Sequence, residues 1–219
     1  MSELTPELTL IVASKNYSSW SLRPYLALAH TGQPFREVMV PLDEPDTAAK
    51  IAQHSPSGRL PALRHGAISI WDSLAICEYL AETFPQARLW PQDKEARAVA
   101  RSVVAEMHSG FSNLRQNMTM DIRARKPGKG RAPGVAEDIA RIQALWNECR
   151  TRFGQGGPFL FGHFTIADAF YAPVVSRFVT YEVELDAVSR SYRDAVLELP
   201  ALKTWTEAAL KEPPVKRYQ

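Results

Sequence analysis

The chain begins its periodic structure on an unbroken apolar run. Residues 8–14, LTLIVAS, show no polar alternation, as expected of a strand covered on both faces. From 20 to 31, Trp20, Leu22, Tyr25, Leu26, Leu28 and Ala29 recur at helical spacing. Pro24 falls in the first turn of that helix, where a missing N–H costs little, and Gly32 stops it. Residues 35–42, FREVMVPL, alternate and predict a second strand, and 46–54 predict a short helix with Asp46 as its cap. Two short strands at 61–64 and 68–71 join at His65-Gly66 as a hairpin. Residues 73–84, SLAICEYLAETF, predict an amphipathic helix. The order is βαβαββα, with a βαβ crossover first and an antiparallel pair last.

Prolines mark a linker at 86–93, which divides 1–85 from 94–219. Beyond it the strand signals vanish. Helical patterns run at 94–123, 134–153, 165–180, 187–197 and 200–211. The expected architecture is a small α/β domain followed by an all-α one, with no internal repeat.

The 219 residues, 45% hydrophobic and 23% charged, have an ordinary globular composition and suffice for a real core. A net charge of +2 gives no argument for a nucleic-acid or membrane partner. The basic stretch 123–131 (Arg123, Arg125, Lys126, Lys129, Arg131) lacks interleaved aromatics and reads as a solvated, mobile surface loop. Cys77 and Cys149 form no CxxC and sit on apolar helical faces, which predicts core thiols in a reducing, cytoplasmic setting. His30, His54, His65, His108 and His163 form no HxxxH or HExxH pair, so no metal is expected. The N-terminal MSELTPELTL has acids and no basic n-region, unlike a signal peptide, and no run approaches a membrane span.

Three stretches carry candidate chemistry. KNYSSWSLRP (15–24) sets Tyr17, Ser18, Ser19 and Ser21 around Trp20 at the mouth of the first helix. SPSGRLPAL (55–63) is followed closely by WDSLAICEYL (71–80), and GHFTIADAFYAPV (162–174) lies far downstream. Each has a purely local reading. Ser18 and Ser19 suit a helix cap, as do Asp72 and Ser73. Pro61 suits the start of an edge strand, and Arg59 a solvated loop position. Thr165-x-x-Asp168 is close to a capping box with Phe164 as staple, a folding element rather than a site.

In this order and at these separations, the three stretches resemble the cytosolic glutathione transferases. SSWSLR (18–23) is similar to the SSCxxR of the zeta class and of serine-type members generally. SPSGRLPAL is similar to NPxGxVPxL, WDSLAICEYL to (E/Q)S-xAIxxYL, and GHFTIAD to Gxx(S/T)xAD. Trp20 stands where the zeta pattern has cysteine, which sets the chain apart from a zeta-type isomerase. Leu60 replaces the usual valine, and Arg59 stands where that class has glutamine.

The resemblance implies a thioredoxin-like α/β domain, an all-α domain, and glutathione as co-substrate with no other cofactor. It makes Ser18 the catalytic hydroxyl, with Ser19 as its neighbour and Tyr17 a weaker candidate, at the positive end of a helix dipole. It implies a cis Leu60-Pro61 bond whose turn offers the Leu60 N–H and C=O to the cysteinyl backbone of glutathione. Ser73 and nearby N–H groups would take the γ-glutamyl carboxylate, Asp72 the ammonium group, and Arg59 the glycyl carboxylate. The electrophile site would lie between the domains, with Met107, His108, Phe111 and Arg115 as its candidates. Arg115 would favour an acidic or carbonyl substrate. A two-fold dimer is implied as well. The rival readings are a maleylacetoacetate-type isomerase, an organic-hydroperoxide reductase, and a glutathione-binding protein without catalysis.

Overall fold

The structure is a computed structural model that describes residues 7–215. Its sheet has the order β2-β1-β3-β4. Strand β1 (Leu8–Ala13) runs parallel to β2 (Phe35–Val40), with Leu8 opposite Phe35 and Ala13 opposite Val40. Strand β3 (Ala62–His65) is antiparallel both to β1 and to β4 (Ile68–Trp71). The central position of β1 accounts for its unbroken apolar run. Leu10 and Val12 join Leu22, Leu26, Ile76 and Leu80 of helices α1 (Ser19–His30) and α3 (Ser73–Thr83) in the main core. Ile11 points the other way, into a small cluster with Val40 and Ala62, against which Ile51 of helix α2 (Thr47–His54) packs. Successive strand residues face opposite sides, so a strand covered on both must be apolar throughout. Helix α2 buries no residue fully. Asp46 makes no side-chain capping bond there. Its carboxylate pairs instead with Lys50, one turn on, at 2.9 Å.

The rest of the described chain is helical: α4 (Lys94–Ser109), α5 (Ser112–Asn117), α6 (Val135–Phe153), α7 (Ile166–Thr180), α8 (Ala187–Leu197) and α9 (Pro200–Lys211). Helix α7 is buried along nearly its whole length and packs on α1, α4 and α8. Its first turn is fixed by Asp168. One carboxylate oxygen accepts from Thr165 N (2.8 Å) and Thr165 Oγ1 (3.0 Å), and the other from Leu160 N (3.1 Å). Burial pushes this carboxyl up to about 6 in spite of those donors. The two cysteines are buried, and burial pushes the Cys149 thiol up to about 12 and the Cys77 thiol higher still.

Besides the Asp46 cap, three expectations need correction. Pro24, expected in the first turn of α1, is its sixth residue and lies inside the helix. The helix predicted over 94–123 ends at Ser109. Gly110 is extended and Phe111 is left-handed (φ 54°) before α5 begins. A side chain at 110 would put its Cβ 2.6 Å from the Glu106 carbonyl oxygen, so glycine makes the break possible. The apolar stripe Met107, Phe111, Leu114 and Met118 continues across it because all four enter the core. The basic loop is not simply solvated. Lys126 pairs with Asp121 at 3.0 Å and its N–H donates to the Thr180 carbonyl, while Arg123 reaches the Glu212 carbonyl at 2.7 Å. Arg125, Lys129 and Arg131 remain exposed.

Candidate active site

A groove of about 520 Å3 opens beside the sheet, lined by Trp20, Ser57, Arg59, Leu60, Pro61, Trp71, Asp72 and Ser73. Leu60-Pro61 is cis. The β1–β3 register ends at Ile11–Ala62, so Leu60 lies just past the last paired position, at the rim of the groove. Asp72 holds φ 72° and caps α3, its Oδ1 accepting from Leu74 N (2.8 Å) and Ala75 N (3.2 Å). A non-glycine residue at positive φ is strained, and such strain collects at ligand sites. Asp72 Oδ2 lies 3.3 Å from Nε2 of His108 on α4. Beside it, Ser73 is buried, and its hydroxyl has no hydrogen-bond partner among the described residues. A buried hydroxyl without a partner is costly, and this one belongs to a residue that lines the groove at a helix N-terminus, where an anion is favoured.

The mouth of α1 adjoins this groove. Ser18 is the N-cap. Its Oγ accepts from Ser21 N at 3.3 Å and donates to Ser21 Oγ at 2.8 Å. Ser21 Oγ in turn accepts from Ala13 N at 3.1 Å, which ties the cap to the end of β1. Ser18 is therefore a cap, as the local reading expected, but a cap whose hydroxyl hydrogen rests on another hydroxyl. That hydrogen can swing to a stronger acceptor while the cap bond holds the oxygen in place. Ser19 faces a different space: a cavity of about 350 Å3 lined also by Tyr17, Trp20, Ser112, Arg115, Gln116, Thr119, Met120 and Arg177.

Trp20 lines both spaces. Its ring lies 4.2 Å from the Arg23 guanidinium and 5.4 Å from that of Arg115, and His108 meets it edge-on at 5.4 Å. Arg23 is completely buried, and none of its three guanidinium nitrogens has a hydrogen-bond partner among the described residues. Burial, with Arg177 and Arg115 nearby, lowers it to about 9. Arg177 donates through Nε to the Met118 carbonyl at 2.8 Å but leaves Nη1 unpartnered, and burial lowers it to about 10. Burial also lowers His108, and Arg23 and Arg115 add to the effect against Asp72. The cavity is thus a cationic one rimmed by hydroxyls.

Arg59, Leu60, Pro61, Asp72 and Ser73 lie together in the groove, and Ser18 stands at the neighbouring helix mouth. Of the four electrophile-site candidates, Arg115 lines the second cavity and His108 touches Trp20 and Asp72. Met107 and Phe111 belong to the core instead. Sequence reasoning missed Arg23, Arg177 and the bridging role of Ser21. A lone arginine in the apolar run ADAFYAPVVSRF was the available signal for Arg177. A third cavity, between the β2–α2 loop and residues 212–215, has only acids among its charged lining residues (Asp43, Glu44, Glu212) and suits no anionic peptide. Among the described residues no group of three His, Cys, Asp or Glu is placed to hold a metal, and no helix is long and apolar enough to cross a membrane.

Comparison with known proteins agrees with this geometry. Two family models match: glutathione S-transferase, N-terminal domain, over residues 17–83, and glutathione S-transferase, C-terminal domain, over 132–208. A probable maleylacetoacetate isomerase of Caenorhabditis elegans is 25% identical over 84% of this chain and 85% of its own length. Glutathione S-transferase 1 of Dianthus caryophyllus is 28% identical over 96% of this chain and 90% of its own. A Burkholderia glutathione transferase homologue, solved with bound glutathione, superposes with a TM-score of 0.70 at 22% identity over 94% of this chain and 99% of that one. The chain belongs to the glutathione S-transferase family.

Proposed function

We propose that the protein binds glutathione in the groove of Leu60, Pro61 and Ser73, and delivers its thiolate to a small electrophile in the adjoining cavity. The observation that carries this reading is the buried, unpartnered Ser73 hydroxyl at the start of α3, in one groove with a cis-proline turn. Ser73 and the first amides of α3 suit the γ-glutamyl carboxylate. The edge of Leu60 suits the cysteinyl backbone. Arg59, exposed at the groove, suits the glycyl carboxylate. Asp72 is partly committed to its cap and to His108, which leaves one oxygen shared between His108 and the peptide ammonium group.

Only a thiolate attacks well at neutral pH, and a free cysteine thiol titrates near ~8.5. The Ser18 hydroxyl would turn its hydrogen from Ser21 Oγ to sulfur, with the α1 dipole favouring the same negative charge. The thiol proton passes to solvent. The sulfur lone pair forms the C–S bond, and the leaving group departs with its bonding electrons. Arg115 and Arg177 select electrophiles with a carboxylate or carbonyl oxygen.

A second reading is favoured by that cationic cavity and by the relative named an isomerase. Thiolate would add to a cis double bond of an unsaturated acid, the new single bond would rotate, and elimination would return glutathione unchanged. The two readings separate by assaying glutathione against a halo-aromatic and against maleylacetone: conjugation consumes the thiol and isomerisation does not. A protein that binds glutathione but turns over neither is a binding protein, and that outcome rejects both. The reading carries with it a two-fold dimer, a cytoplasmic setting and no resident metal or redox cofactor. Light scattering that gives the 24.5 kDa monomer mass would remove the dimer.

A further inference from the structure

The loop that delivers Ser18 is held from the far end of the chain. Glu212, just past α9, aims its carboxylate at three consecutive donors in the β1–α1 loop. Oε1 accepts from Lys15 N at 2.9 Å. Oε2 accepts from Ser14 Oγ at 2.6 Å and from Asn16 N at 3.4 Å. Ser14, Lys15 and Asn16 are all buried, and Ser14 and Glu212 also line the acidic cavity beside residues 212–215. The Glu212 end is itself anchored, its carbonyl accepting from Arg123 at 2.7 Å, while Trp205 of α9 donates to the Lys15 carbonyl at 3.0 Å. Ser14 passes the constraint on, because its carbonyl accepts from Ser18 N at 2.8 Å. The connection Glu212–Ser14–Ser18 joins the last helix to the N-cap of α1 through two hydrogen bonds.

We propose that Glu212 is a positioning residue, which fixes the β1–α1 loop so that the Ser18 hydroxyl stands at the glutathione sulfur. This rests on the reading of Ser18 as the thiolate's partner. Glu212 touches neither the peptide groove nor the arginine-lined cavity, so its effect must run through the loop. A backbone shift of a fraction of an ångström at Ser18 lengthens a sulfur hydrogen bond without changing the peptide contacts at Leu60 and Ser73. The signature is a change in thiol acidity with little change in peptide affinity.

The test measures glutathione affinity by calorimetry and the pH titration of the bound thiolate's absorbance, in wild type, Glu212→Ala, Glu212→Gln and Ser14→Ala, well below each melting temperature. Glu212→Ala is expected to raise the bound thiol's pKa by about one pH unit, a roughly threefold loss of thiolate at neutral pH, with Kd for glutathione held within about threefold. Glu212→Gln keeps the size and one acceptor oxygen and sets an NH2 against the loop's donors, so it shifts the thiol in the same direction even if the alanine variant does not fold. Ser14→Ala loses one of the bonds and shifts it less. A wild-type shift kept intact in every Glu212 variant that folds overturns the proposal alone. A wild type that binds glutathione with an unshifted thiol, or does not bind it, overturns the proposal together with the reading beneath it.

Discussion

The indole of Trp20 covers the Arg23 guanidinium at 4.2 Å, and Phe170 lies 4.7 Å from the same group on α7. Arg23 is thereby a buried cation whose only described partners are aromatic faces and, at longer range, the charges of Asp72 and the other arginines. A cation–π contact of this desolvated kind is worth about 2 kcal/mol, less than the several kcal/mol needed to strip a charge of water. Arg23 therefore opposes folding and raises the positive potential around Trp20 and the mouth of α1.

Arg23→Met should accordingly leave stability unchanged or raise it by about 1–4 kcal/mol, as replacement of a buried charge by an apolar side chain of similar size often does. Urea unfolding is the check. A loss of more than about 2 kcal/mol would mean that Arg23 has hydrogen-bonding partners that stabilise the fold.

Ser73→Ala should behave in the opposite sense to an ordinary buried hydroxyl deletion. Among the described residues the hydroxyl has no partner to lose, so the melting temperature should hold or rise slightly. Glutathione should bind about tenfold to a hundredfold more weakly, the equivalent of one charge-assisted hydrogen bond. Calorimetry with glutathione tests this, and unchanged affinity with lowered stability would make Ser73 a structural residue only.

The groove was largely legible in the sequence because its chemistry lies in contiguous letters. Leu60-Pro61 and Asp72-Ser73 each mark a turn or a cap within two residues, which local rules read, while the glutathione contacts proposed there were implied by the family resemblance. The cationic cavity was not legible in that way. Arg23, Arg115 and Arg177 come from α1, α5 and α7, far apart in sequence, and the packing of α7 against α1 and α4, with α5 following α4 across the Gly110 break, brings them together. The break at Gly110 was hidden because the core continues past it, and an unbroken apolar stripe does not reveal that two helices carry it. Glu212 was hidden for a related reason: its partners lie 196 to 198 residues away along the chain.

Asp168 gives the fold a pH signature. Burial raises its carboxyl from 3.8 to about 6, so between those values the folded state holds a proton that the unfolded chain has released. The stability from this group is complete below about 4 and is lost as pH rises through about 6, a change on the order of 3 kcal/mol. Carbon NMR of the labelled carboxyl should give a midpoint near 6. A midpoint below 4 would mean that the Leu160 and Thr165 donors outweigh burial.

In the proposed mechanism Ser18 makes the thiolate, and the decisive experiment titrates the absorbance of bound glutathione in wild type, Ser18→Ala and Ser19→Ala. The wild-type thiol is expected about two units below the free value of ~8.5, roughly 2.7 kcal/mol in favour of the thiolate. One hydrogen bond to a charged group supplies about 1.5–3 kcal/mol and the helix dipole about 0.3–1. Ser18→Ala should therefore return the thiol by about one to two units, with glutathione still bound, and Ser19→Ala should move it much less. Equal small shifts in both variants, or a wild-type thiol at its free value, would mean that Ser18 does not make the thiolate.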